Sequence, residues 1–189
     1  MPLHITRFLG GSSGPWQLER IEAVVGPPLD PVERILIVDD RADVPTAGVR
    51  WLLRGVASYE RYVTRPERNE LEARQPALAR PEATCAALIP VAKSAAWWNL
   101  PHDERRAIFE ERSAHIATGL RYLPAVARRL YQCRDLGEPF DFLTWFEYAP
   151  TDAPRFEELV SILRRSEEWR YVEREVDIRL RRVNSSGDR

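Results

Sequence analysis

Three residue types in this chain stand where side-chain chemistry could be done. The segment FEERSAHIATGLRYLPAVARRL, residues 109–130, holds His115, one of three histidines in 189 residues, with an arginine pair at Arg128 and Arg129 near its end. Apolar neighbours recur around the histidine at helical spacing: Ile108 pairs with His115, and Phe109 with Ile116, each at a step of seven. A titratable ring on an apolar face needs a partner, either inside the core or outside the polypeptide. Neutral imidazole binds iron well when an acceptor holds its other ring nitrogen. A zinc site is disfavoured, because His4 and His102 are the only other imidazoles and no cysteine is spaced to join them. A single axial histidine is a haem arrangement; the residues alone leave that reading and a satisfied core histidine both open. The second type is a cation. An unbroken helix would put Arg128 about 20 Å from His115. Gly119 and Pro124 bracket a turn, however, so the chain can fold back and aim one guanidinium at the far face of a ligand held by His115. The ordinary alternative for adjacent arginines is a solvated pair. The third type is Lys93, the one lysine among 28 basic residues. It is there either by chance or because its place needs a compact ammonium that a forked guanidinium cannot imitate.

The elements that must position these residues are legible in outline. RILIVDD, residues 34–40, predicts a buried strand, and GVRWLLRGVASYERYVTR, 48–65, is rich in β-formers with Gly55 as a bulge or bend. Thr64 with Glu67 makes a capping box, and Pro66 suits a first turn, so a short helix should follow. Residues 10–31 read as an irregular Gly- and Pro-rich arm around WQLERIEAVV, and 75–84 as a connection. CAALIPVAKS predicts a strand whose Pro90 implies an edge or a bulge. Asn99 and Pro101 open a helix that carries His115 and stops at Gly119; Pro124 opens a second helix with Val126, Ala127, Leu130 and Tyr131 inward. DFLTWFEYAP alternates as a strand, placing Phe142, Thr144, Phe146 and Tyr148 on one face and Leu143, Trp145 and Glu147 on the other. Asp152 and Pro154 begin a helix with Phe156, Leu159, Val160 and Leu163 on its inner stripe, and EWRYVEREVDIRL closes as a strand. The order implies an α+β fold, one sheet with helices packed on one face. It also implies one domain over residues 1–184 with a frayed tail at 185–189.

Composition narrows the partners. The formal net charge is −1 with both signs interspersed, so no global field favours nucleic acid or an anionic membrane surface. No apolar run nears the ~20 residues of a membrane helix, and the N-terminal stretch lacks the pattern of a secretory leader. Cys85 and Cys133 lie far apart without metal-type spacing, which fits buried thiols in a reducing, cytoplasmic compartment. The expected partner is a small molecule or a second copy of the chain. Met1 is the only methionine, a composition suited to exposure to strong oxidants.

VAKSAAWWNLPHDERRAIFEERSAHIATGLRYLPAVARRLYQCRDLGEPFDFLTWFEYAP, followed by EEWRYVEREVDIRL, closely resembles the chlorite dismutases, specifically their short, dimeric, cytoplasmic lineage. The resemblance covers about residues 85–182, with LRGVASYERYVTR as a further characteristic stretch. It implies a ferredoxin-like dimeric α+β barrel with an antiparallel sheet and helices on one face, haem b as cofactor, and conversion of chlorite to chloride and dioxygen, a detoxification. His115 then resembles the proximal iron ligand, and Arg128, rather than Arg129, the distal arginine that clamps chlorite and retains the departing chlorine oxyanion. Glu168 resembles the carboxylate that accepts the histidine's other ring proton, and Lys93 the lysine beside that carboxylate and a haem propionate. Trp97 or Trp98, together with Tyr62, resembles haem-pocket residues; Thr144 and Phe146 line the distal side. The nearest rival is a coproheme decarboxylase, but those relatives are longer and lack the distal arginine. A non-catalytic haem-binding protein is the second rival, since a fold alone does not carry turnover.

Overall fold

The computed structural model describes residues 4–44, 47–57 and 62–183. The expected tail at 185–189 lies outside the described residues, as do positions 58–61 of the expected long strand. Eight strands form in chain order: β1 (Ile5–Gly11), β2 (Trp16–Val25), β3 (Arg34–Asp39), β4 (Trp51–Ala57), β5 (Cys85–Lys93), β6 (Ala127–Gln132), β7 (Phe142–Tyr148) and β8 (Val172–Arg182). Every pairing is antiparallel, and the sheet closes into a barrel in the order β1-β3-β2-β8-β5-β7-β6-β4. The fold class is therefore α+β with an antiparallel sheet, as expected, but the sheet closes within one chain. Alternation along a strand reveals which face is apolar and not whether the outer strands meet, so closure was not readable.

Alternation does explain the layers. Inward side chains, among them Phe8, Trp16, Ile35, Leu53, Leu88, Trp145 and Ile178, fill the barrel. Trp16 and Trp145 meet edge to face at 5.1 Å, as do Phe8 and Tyr131 at 5.0 Å. The outward residues of β5 and β7, including Ile89, Val91, Phe146 and Tyr148, are covered by the helix α5 (Ala153–Arg164) through Phe156, Leu159, Val160 and Leu163. Both faces of β7 and the inner stripe of α5 thus agree with the sequence pattern.

Several expectations fail for physical reasons. The supposed arm, residues 10–31, takes in the end of β1 and the whole of β2. Gly10 and Gly11 contribute to the Gly-rich composition of that arm, but a Cβ at Gly10 would stand 2.2 Å from the Trp51 ring, so the glycine admits that ring within a strand. In β2 the period of two is broken by register shifts between Leu18 and Arg20 and between Ala23 and Val25. Gly55 makes no bulge: it stays in register opposite Thr6, and a Cβ there would lie 2.6 Å from Cβ of Tyr131. Pro90 sits in a central strand between β7 and β8. The β7 pairing runs through it unbroken, whereas the β8 pairing lapses at Ile89 and Pro90, where the missing N–H can be tolerated.

The helical middle is also different. Helix α1 (Arg65–Arg74) follows its capping box, with Thr64 N–H donating to Glu67 Oε2 at 2.7 Å. Next come α2 (Ala95–Trp98) and α3 (His102–Arg106), a π-helical stretch Ala107–Arg112, a left-handed Ala114 (φ 50°), and α4 (His115–Arg121). One long helix ending at Gly119 is therefore replaced by short pieces, with Gly119 inside α4. The second helix expected after Pro124 is strand β6, which pairs with β7 over six residues from Ala127 to Gln132. Ladder pairing and burial of Ala127 and Tyr131 override the helix preference of ARRL, since propensity yields to tertiary context.

Candidate functional site

His115 is the first residue of α4, and the break before it fixes its direction. A left-handed non-glycine residue is held only by surrounding structure. Here Glu110 supplies that hold: its carboxylate accepts from Ile116 N–H at 2.6 Å and Ala117 N–H at 3.1 Å, satisfying the helix start in place of a capping side chain. The π-helical stretch brings Phe109 flat against the imidazole, with centroids 4.3 Å apart and planes 21° apart.

The ring's Nδ1 lies 2.7 Å from Glu168 Oε2, and Lys93 Nζ donates to Glu168 Oε1 at 2.6 Å and to the Glu168 carbonyl at 3.4 Å. Glu168 stands at the start of a 3₁₀ turn, where its N–H donates to Ser113 Oγ at 3.0 Å. Lys93 and Glu168 are both buried. Burial pushes the Glu168 carboxyl up, but the adjacent His115 and Lys93 outweigh burial and hold it at about 2. An ionised carboxylate only accepts, so Nδ1 of His115 carries the proton shared with it, and Nε2 is the ring nitrogen turned away from Glu168. Lys93 balances the carboxylate's charge, and its ammonium lies 4.8 Å from the Trp97 ring centroid and 5.4 Å from that of Trp169.

This triad forms part of the wall of a cavity between the outer barrel face and the helices, with about 1020 Å³ of empty space including its open side. Most of the wall is apolar: Ile89 and Val91 from β5, Leu130 from β6, and Val160 and Leu163 from α5 contribute to it. Arg128 lines it from β6, while its neighbour Arg129 faces the other way and is exposed, as the period of two requires. Thr144 and Phe146 line it from one face of β7, and Tyr62 and Trp97 line it as a T-shaped aromatic pair at 6.0 Å. Trp97 is 1% exposed, and its Nε1 has no hydrogen-bond partner among the described residues. Trp98 is not among the described lining residues. Its Nε1 donates to Asp141 Oδ2 at 3.1 Å, and its ring stacks on Phe142 with the Arg134 guanidinium 4.0 Å away. Asp141 also accepts from Lys93 N–H at 2.7 Å, so Trp98 and the strand end that carries Lys93 share one carboxylate.

Eight of the nine residues singled out in the sequence therefore line one cavity, His115, Lys93, Glu168, Trp97, Tyr62, Arg128, Thr144 and Phe146, and Trp98 is the exception. Sequence reasoning missed Phe109, Glu110, Ser113, Asp141 and Trp169. Phe109 is six residues before His115, a separation without meaning until the π-helical stretch is known. Trp169, next to Glu168, had adjacency as its only signal. A second charged group at the wall, Arg164 with Glu175, is already satisfied: Glu175 accepts from Arg164 at 2.6 Å and 2.9 Å and from Trp169 Nε1 at 2.8 Å. Among the described residues no cluster of three or more His, Cys, Asp and Glu side chains could hold a metal ion.

Comparison with known proteins identifies the family. The family model described as chlorite dismutase matches residues 48–183. A chlorite dismutase from Ideonella dechloratans is 36% identical over 86 residues, which span 46% of this chain and 28% of that relative. Among solved structures, a dimeric chlorite dismutase from Nitrobacter winogradskyi is 57% identical with a TM-score of 0.87, covering 94% of this chain and 99% of that one. The chlorite dismutase of Candidatus Nitrospira defluvii in complex with imidazole shares the fold, with a TM-score of 0.69 at 20% identity over 95% of this chain and 91% of that one. With a family match extending over most of its length and a 57% identical structural neighbour, this chain belongs to the chlorite dismutase family.

Proposed function

We propose that this protein is a haem b-dependent chlorite dismutase that converts chlorite to chloride and dioxygen. The observation that carries the reading is the His115–Glu168–Lys93 relay on the wall of an apolar cavity that Arg128 also lines. The residues present fit a haem: Nε2 of His115 is an iron ligand, the apolar walls suit a porphyrin, and the unpartnered Trp97 Nε1 is a buried donor for an anionic edge. His115 would hold the iron, with Glu168 and Lys93 behind it; Tyr62, Trp97, Thr144 and Phe146 would contact the cofactor, with Trp98 supporting them. When bound, haem supplies the redox-active iron at which a Cl–O bond of chlorite is broken.

The chain's own residues account for the rest. Glu168 keeps the Nδ1 proton in place and raises the basicity of the ring, and Lys93 limits that effect by sharing the carboxylate. Arg128 carries a permanent positive charge into apolar surroundings, where it would attract a small anion and hold the chlorine oxyanion fragment in the cavity until chloride and dioxygen leave. It is a clamp rather than an acid or base, because a guanidinium does not release its proton near neutral pH. One domain over residues 1–184, assembled as a homodimer in the cytoplasm and serving detoxification, completes the proposal. The dimeric Nitrobacter relative and the lack of a long apolar helix among the described residues support assembly without a helical membrane anchor. An oxygen electrode tests the activity: haem-loaded protein should release one dioxygen and one chloride per chlorite, and chlorite consumption without dioxygen would overturn it.

A further inference from the structure

Gly119 lies four residues after His115, one turn along the same helix, and is buried. Neither a turn nor a left-handed backbone requires glycine here, because the residue is inside α4 and is absent from the positive-φ glycines of the described chain. Glycine is a worse helix former than alanine, so propensity argues against it. What it admits is Arg128: a Cβ at position 119 would stand 2.2 Å from Nη1, 2.9 Å from Cζ and 3.1 Å from Nη2 of that guanidinium. The group reaching across from β6 thus rests on bare helix backbone. We propose that Gly119 is a positioning residue, the seat that lets the Arg128 guanidinium lie against α4 and face the cavity. One short helix then sets both the ring at its first residue and the cation one turn further on.

Resting on the function proposed above, the inference deepens the role of Arg128. The atoms that an alanine Cβ would meet belong to the far end of a flexible side chain, so Gly119→Ala should leave the fold intact and displace the guanidinium. Two measurements test it. In crystals of the haem-free Gly119→Ala variant, the guanidinium should have left the α4 backbone; a guanidinium still seated there overturns the proposal, whether or not the protein binds haem. In protein loaded with ferric haem b, sodium fluoride, an anion that accepts hydrogen bonds, should bind about threefold or more weakly in Gly119→Ala and about tenfold or more weakly in Arg128→Ala, the charged hydrogen bond being the larger loss. Adding Gly119→Ala to Arg128→Ala should change fluoride affinity no further. An additive loss in the double variant, or wild-type affinity in Gly119→Ala, overturns the seat. Failure of the wild-type protein to bind haem would instead overturn the functional reading, leaving the crystallographic result to decide on Gly119.

Discussion

Replacing Lys93 by methionine keeps the length and most of the volume of the side chain while removing its charge. In the wild type, Lys93 and Glu168 are both buried, and the ammonium makes a 2.6 Å hydrogen bond to the carboxylate and a 3.4 Å bond to the Glu168 carbonyl. The variant leaves Glu168 with the imidazole and no compensating ammonium. Breaking a buried pair on one side costs about 3–5 kcal/mol, because an uncompensated charge remains. For a chain of this size each kcal/mol corresponds to about 2–4 °C, so the melting temperature of the haem-free protein should fall by about 6–20 °C. The pH dependence has a definite sign. Glu168 is depressed from its ordinary 4.5 to about 2, so its contribution is present above pH 4.5 and lost as pH falls through about 2. Without Lys93, burial is opposed by His115 alone, the carboxyl rises, and acid unfolding should begin at higher pH than in the wild type. Adding Glu168→Gln should recover part of the loss, since the stranded charge is gone. Urea denaturation of the haem-free proteins across this pH range is the assay. A loss below about 1 kcal/mol, the range of an exposed pair, would refute the claim that the ammonium is a buried counter-charge.

Three further outcomes follow. Arg106 holds the Glu67 carboxyl at about 2 through a hydrogen-bonded pair of 2.7 Å and 2.9 Å, so the stability difference between wild type and Glu67→Gln should be complete above pH 4.5 and vanish as pH falls toward about 2; a pH-independent difference would contradict this pairing. Gly55→Ala should cost about 1–3 kcal/mol by overpacking, because its Cβ meets Tyr131 Cβ and Cys133 Sγ at 2.6 Å and 3.0 Å in the barrel core, and an unchanged urea midpoint would contradict it. Arg128→Ala should retain haem while releasing hypochlorite, detected with a chlorination trap, and losing activity during turnover; wild-type oxygen yield with no trapped oxidant would remove the clamp from the account.

The parts of this molecule that were legible in the sequence are those governed by local pattern. Alternation along residues 142–148 put Thr144 and Phe146 on one face, and Thr64 with Glu67 announced α1, because each signal is complete within a few residues. The lone lysine stood out by composition, and its buried place beside Glu168 gives that oddity a physical reason. What was not legible depends on partners distant in the chain. ARRL became a strand because β7 lies beside it, the long helix broke where Glu110 could support a left-handed Ala114, and Gly119 ceased to be a stop once Arg128 lay across it. The break and the strand together allow residues 115 and 128 to line one cavity, which an unbroken helix would have prevented. Haem, its chemistry and the dimer came from resemblance rather than from spacing.

The central claim is that Nε2 of His115 binds haem iron, and an absorption titration tests it most directly. Ferric haem b added to the wild-type protein should give a Soret band that saturates at one haem per chain, and His115→Ala should give a different band that returns toward the wild-type position when free imidazole is added. Identical spectra for the two proteins, with no response to imidazole, would contradict the account.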